Sequence, residues 1–344
     1  MPSDYGYINA RIKGWHSRLL AAGAYEELLD LPDFAALAKW METGPYSADW
    51  QLARARYDGL EAVEWALESN FSRVTKKLLK ISDSGPRRLI SVLLRRWDLA
   101  NLKTVIRGIA QEWSGIEIAR SLWPSGALDL VRLKELSEQK NLRAVADILA
   151  TWQEPFAEPL NGCLPSYERD KDLVPVELAL DRFYYRQAFR QLRGIGHDKG
   201  LLRGLFRREI DLANAKALRR LAGGPGAPGG TMQYFIEGGK TFTKPLFSGL
   251  LDAKQRIRRL RGLRGTAHYL FLAGSGDPVD LENGLDQAFW AACARLYRAR
   301  PLGVDVVVGF LWQKYYELVN LRLLARAKHY GLPADQVRPQ MFLI

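Results

Sequence analysis

Apolar residues recur three and four positions apart along most of the chain. The stretches "YEELLDLPDFAALAKWM" (Tyr25–Met41) and "LDLVRLKELSEQKNLRAVADILATW" (Leu128–Trp152) show the spacing that gathers apolar side chains on one face of an α-helix. Long alternating runs of Val, Ile and Thr are missing, and no Asn-Gly turn flanked by such runs is present. Helix-breaking residues cluster between the periodic segments, at "SDSGP" 82–86, "WPSG" 123–126 and "SGDP" 275–278. The Gly/Pro stretch "GGPGAPGG" at 223–230 reads as a loop between larger units. The pattern predicts an all-α protein. The most apolar run, "PLGVDVVVGFLW" (Pro301–Trp312), is short and carries Asp305, which predicts a buried helix rather than a membrane span.

The helical pattern repeats. The phrase "DLAN" stands at Asp98–Asn101 and again at Asp211–Asn214, and "ELVN" at Glu317–Asn320 is a third version. All three read acid-x-x-Asn-x-base, and the acids step by 113 and then 106 residues. A second phrase keeps the same register: "EWALE" ends at Glu68, "ELALD" at Asp181 and "ENGLD" at Asp286, with steps of 113 and 105. From each of these acids to the next phrase is 30, 30 and 31 residues, enough for one helix, a turn and a helix packed back on it. In the second phrase the two acids lie at i and i+4, on one helix face. An inward acid there could pair with the Asn or base of the following helix and fix register; solvated positions or helix caps are the alternative. A catalytic use of these carboxylates finds no nucleophile or histidine beside them. The steps predict three helical units, at about 1–115, 116–225 and 226–344. Closing three such units into a ring implies rotations near 120° between them. Asn101, Asn214 and Asn320, each in an apolar segment, are expected to be buried and hydrogen-bonded.

Charge narrows the partners. Fifty Lys and Arg against 38 Asp and Glu give a net charge of +12, which favours an acidic protein surface, anionic headgroups or nucleic acid. The densest cluster is "KQRIRRLRGLR", with Lys254, Arg256, Arg258, Arg259, Arg261 and Arg264 and no acid. Arg182, Arg186, Arg190 and Arg193 share a helix face. Either is a candidate docking surface or a solvated face. A basic helical-repeat scaffold that binds nucleic acid is the rival reading, although no nucleic-acid module is recognisable. Cys163 and Cys293 form no motif and point to a reduced, cytoplasmic setting. The four histidines, His16, His197, His268 and His329, have no ligand-like spacing, so no metal is expected. "EGGKTF" at 237–242 copies the end of a phosphate-binding loop, but Tyr234 stands where its first glycine belongs, and the segment reads as a turn. No cofactor and no catalytic residue are expected.

These segments together resemble a known family. "YGYINARIKGWHSRLL", "WDLANLKTVIRG", "EIDLANAKALRR", "YFIEGG" and "LGVDVVVGFLWQKYYELVNLRLLARAKHYGLPADQVRPQMFLI" are similar, in order and spacing, to the C subunit of bacterial and archaeal V-type (A-type) ATPases, equivalent to the d subunit of the eukaryotic proton pump. Segments 153–172 and 223–230 depart from it, and Asn9 has Gly6 rather than an acid three residues earlier. The resemblance implies three helical units about a pseudo-threefold axis, forming a funnel. It implies a non-catalytic rotor part on the cytoplasmic face of the membrane, without a span of its own. Its partners would be the proteolipid ring and the central shaft, and it would pass torque between them.

Overall fold

The computed structural model describes residues 5–222 and 231–343; Met1–Asp4, the Gly/Pro stretch 223–230 and Ile344 lie outside them. Every regular element among the described residues is helical. In chain order the α-helices are α1 (Gly6–His16), α2 (Ala22–Leu29), α3 (Phe34–Thr43), α4 (Ser47–Arg54), α5 (Gly59–Lys80), α6 (Ser84–Ala110), α7 (Gly115–Ala119), α8 (Leu130–Ser137), α9 (Leu142–Thr151), α10 (Ala157–Asp170), α11 (Val174–Gln191), α12 (His197–Ala222), α13 (Lys244–Leu251), α14 (Ala253–Arg261), α15 (Ala267–Ala273), α16 (Pro278–Arg295), α17 (Val304–Tyr330) and α18 (Ala334–Val337). The sequence punctuates them as expected. Asp33, Asp129 and Asn141 each accept a first-turn amide, Ser114 and Glu117 form a capping box, and α17 stops at Gly331 with a left-handed φ of 68°.

The chain divides into two compact units. One holds residues up to Leu164 together with Ala294 onwards; the other runs from Pro165 to Cys293. The first unit is built around α17, which packs on α1, α3 and α5. The apolar run read from the sequence is buried in α17: Val304, Val306, Val307, Val308, Phe310, Leu311 and Trp312 are nearly inaccessible. A helix buried on all sides needs no polar face, which explains why its hydrophobicity shows no preferred direction. No helix of the described residues is long and apolar enough to cross a membrane. In the second unit, α12 packs against α13 and α15 over Leu218, Phe235, Phe242, Phe247, Phe271 and Leu285.

Candidate functional site

The repeated acids and asparagines are clamps on backbone. Asn101 donates from Nδ2 to the Trp123 carbonyl at 2.7 Å and accepts the Trp123 amide at Oδ1, also at 2.7 Å. Asn214 makes the same pair with Ile236 at 2.9 and 2.9 Å, and Asn320 with Phe342 at 2.9 and 2.9 Å. The partner stands 22 residues on in all three cases. A carboxamide presents one donor and one acceptor side by side, so it pairs with one residue's N–H and C=O as a neighbouring strand would. All three side chains are buried, as the sequence predicts.

The acids three residues earlier complete two of these clamps. Asp98 accepts the amides of Ala127 and Leu128, both at 2.9 Å, and Arg95 adds a contact at 3.2 Å. Asp211 accepts the amides of Lys240, Thr241 and Phe242 at 2.9–3.0 Å. The approach needs a glycine in each case. A Cβ on Gly126 would lie 2.1 Å from Asp98 Oδ1, and one on Gly239 would lie 2.3 Å from Asp211 Oδ1. The phosphate-loop lookalike is thereby explained: the amides that a phosphate would need are held by the chain's own carboxylate. Burial pushes the Asp98 carboxyl up to about 6, against the opposing pull of Arg95 and the two amides.

The third acid is served differently. Glu317 accepts the Leu20 amide at 2.6 Å and the Tyr46 hydroxyl, with Lys314 Nζ 2.9 Å from Glu317 and 2.8 Å from that hydroxyl. Burial, and then the Glu317 charge, push the Tyr46 phenol well above its usual range and keep it a donor. Asn9, by contrast, is not a further copy of the asparagine clamp. It donates to the carbonyls of Pro301 and Gly303, 292 and 294 residues away, and accepts no amide in return.

The second phrase also acts through its paired acids, but not within one hairpin. Arg322 meets Glu68, and Arg326 meets Glu64 at 2.6 Å, so an i, i+4 pair of α17 bases faces an i, i+4 pair of α5 acids. In the other unit Lys216 reaches both Glu282 and Asp286 at 2.9 Å. The sequence suggested a partner about 30 residues further on; Asp286 instead reaches back 70 residues to the base of the preceding phrase. Glu177 and Asp181, in α11, are engaged as well. Burial raises the Glu68 carboxyl to about 8 despite Arg322, and raises that of Asp286 despite Lys216.

The glycines and backbone partners escaped the sequence reading. Trp123, Gly126, Ile236 and Gly239 all follow the 113-residue step already visible in the acids, and that coincidence was the available signal. The basic cluster falls mainly on α14. Lys254, Arg258, Arg261 and Arg264 are exposed, and Arg256 and Arg259 are half-buried. Among the described residues none of the six makes an ion pair; Arg259 leans on Gln255. In the earlier arginine series, Arg182 is bound to the carbonyls of Gln233 and Phe235, a structural rather than a free cation.

Helices pinned by buried side-chain clamps, with a basic face that makes no ion pair among the described residues, define an all-α protein. The comparisons with known proteins are more particular. Residues 8–340 match the ATP synthase (C/AC39) subunit family, and the chain belongs to that family. It is 29% identical to the C subunit of the V-type ATP synthase of Deinococcus radiodurans, over 99% of this chain and 92% of that one. It is 29% identical to the C subunit of the A-type ATP synthase of Haloferax volcanii, over 99% and 98%. Against the C subunit of the V-type ATP synthase of Thermus thermophilus it is 28% identical, over 99% of each.

Proposed function

We propose that this chain is the non-catalytic coupling subunit of a rotary ATPase. It seats the central shaft on the membrane proteolipid ring at the cytoplasmic face and passes torque between them, as three helical units closed into a funnel. The observation that carries the reading is the match of residues 8–340 to an ATP synthase subunit family. The clamps support it physically. A torque-bearing part must not creep, and buried side chains that grip backbone fix the register of packed helices more firmly than apolar contact alone. Glu317 and Asn9 tie the opening segment to α17 and the turn before it, across almost the whole sequence. The repeated carboxylates Asp98 and Asp211 are occupied by the chain's own backbone amides, which suits a mechanical role better than chemistry. The test is co-sedimentation of the purified chain with proteolipid ring, with shaft and with mixed RNA near physiological salt. Binding to ring and shaft is expected, with weak, salt-sensitive RNA binding and no ATP hydrolysis. Tight RNA binding without affinity for ring or shaft would overturn the proposal.

A further inference from the structure

The exposed face of α14 has an unusual composition for a solvated helix. Lys254, Ile257, Arg258 and Arg261 stand at i, i+3, i+4 and i+7, and all four are exposed. That spacing places them in one stripe along the helix. Its apolar member is uncovered: Ile257 is 68% exposed. The adjacent α15, packed on α14, adds Leu270, also 68% exposed. The acid nearest in sequence, Asp252, is turned to its own helix start, accepting the Lys254 amide at 2.9 Å and the Gln255 side chain at 2.8 Å. The cations of the stripe therefore keep their charge for something outside the chain.

We infer that this face lies against an anionic phospholipid surface, with Ile257 entering the interfacial layer and Lys254, Arg258 and Arg261 meeting headgroup phosphates. A nucleic acid would match the cations but gives no reason for a bare isoleucine among them. A bilayer interface accepts both, because its headgroups are charged and its next few ångströms are apolar. The half-buried Arg256 and Arg259 lie on the other side of the helix, away from the stripe. The inference deepens the proposed function by naming what the basic face touches, and it rests on that reading only for placing the chain beside a membrane.

The test uses the full chain and protein-free vesicles, either phosphatidylcholine alone or with about 30% phosphatidylglycerol, in a flotation assay. Binding is expected only with phosphatidylglycerol, and it should fade between about 0.1 M and about 1 M salt as the Debye length shrinks. The double variant Arg258→Glu, Arg261→Glu should lose at least about 25-fold in affinity, since each interfacial cation contributes about fivefold. Ile257→Ser, which leaves the charge unchanged, should lose about fivefold. All these residues are exposed, so the melting temperature should not move. Equal binding to both vesicle types, or an Ile257→Ser variant that binds as the parent does, would overturn the inference. So would tighter binding to RNA than to vesicles at the same salt. Vesicle binding that fails while ring and shaft still co-sediment removes this inference alone; the converse removes the coupling reading alone.

Discussion

Asp98 and Asp211 sit in different compact units, yet each grips the turn 29–31 residues ahead of it through backbone amides and a close-fitting glycine. Glu317 stands at the same place in the phrase and grips the opening segment of the chain, 297 residues away, with a lysine and a tyrosine as helpers. The difference follows from chain entropy. Bringing ends together over ten times the length costs about 2 kcal/mol more in an otherwise unfolded chain. The near clamps close cheaply on backbone amides, with one arginine contact added at Asp98. The distant clamp joins two ends of the sequence, and it recruits a second charge and a phenol, with a longer side chain to reach them.

The largest test of that contrast is Glu317→Gln. It leaves Lys314 buried beside no counter-charge and should lower unfolding free energy by about 3–5 kcal/mol. Asp98→Asn, which strands one amide near a side-chain amide, should cost only about 1–3 kcal/mol. Denaturant titration of the isolated chain gives both numbers, and equal costs would remove the distinction. Hydrogen exchange sharpens it: the Leu20 amide should lose protection in Glu317→Gln and keep it in Asp98→Asn.

Next come the glycines. Gly126→Ala and Gly239→Ala each force a methyl into a carboxylate and should cost about 2–4 kcal/mol, though neither residue needs a left-handed backbone. Wild-type thermal stability in both variants would show that the close approach is not required. The asparagine clamps make the opposite expectation, since their geometry is the same in all three copies. Asn101→Leu, Asn214→Leu and Asn320→Leu should each cost about 1–3 kcal/mol and agree within about 1 kcal/mol. A much larger spread among their denaturation midpoints would show that the three are not equivalent.

A pH slope gives a further test. Glu68 and Asp98 are both raised on folding, so the folded chain binds their protons more tightly than the unfolded chain. Their contribution is present below the unfolded carboxyl range and is lost as pH rises through about 6 for Asp98 and about 8 for Glu68. Stability should fall by roughly 3–5 kcal/mol between about pH 5 and pH 8, and Glu68→Gln should flatten that fall above about pH 6. Urea midpoints across this range check it; a slope unchanged in the variant would assign the titration elsewhere.

Much of this was legible in residues. The three- and four-residue periodicity gave the helices, because packing one face of a helix leaves that trace whatever lies opposite. The apolar run of Val304–Trp312 gave a buried helix, since Asp305 and the short length excluded a membrane span. The asparagines were legible as buried for a similar reason: a lone polar residue among apolar neighbours on a helix must find a partner inside. The acids were legible as important but not as to their partners. The segment "EGGKTF" reads as a turn that copies the end of a phosphate loop, and its amides at Lys240, Thr241 and Phe242 do cradle an anion, the carboxylate of Asp211.

The sequence by itself determined the helices, the copied phrases and their spacing, and the burial of the asparagines, all of which follow from local pattern and short-range geometry. Only the tertiary structure decided which segment each acid holds. Asp98 and Asp211 take the turn that comes next, Glu317 takes Leu20 and Tyr46, and Asp286 reaches back to Lys216. A carboxylate satisfies its lone pairs with whatever donors packing delivers, and packing is set by the whole chain rather than by the residues on either side of the acid.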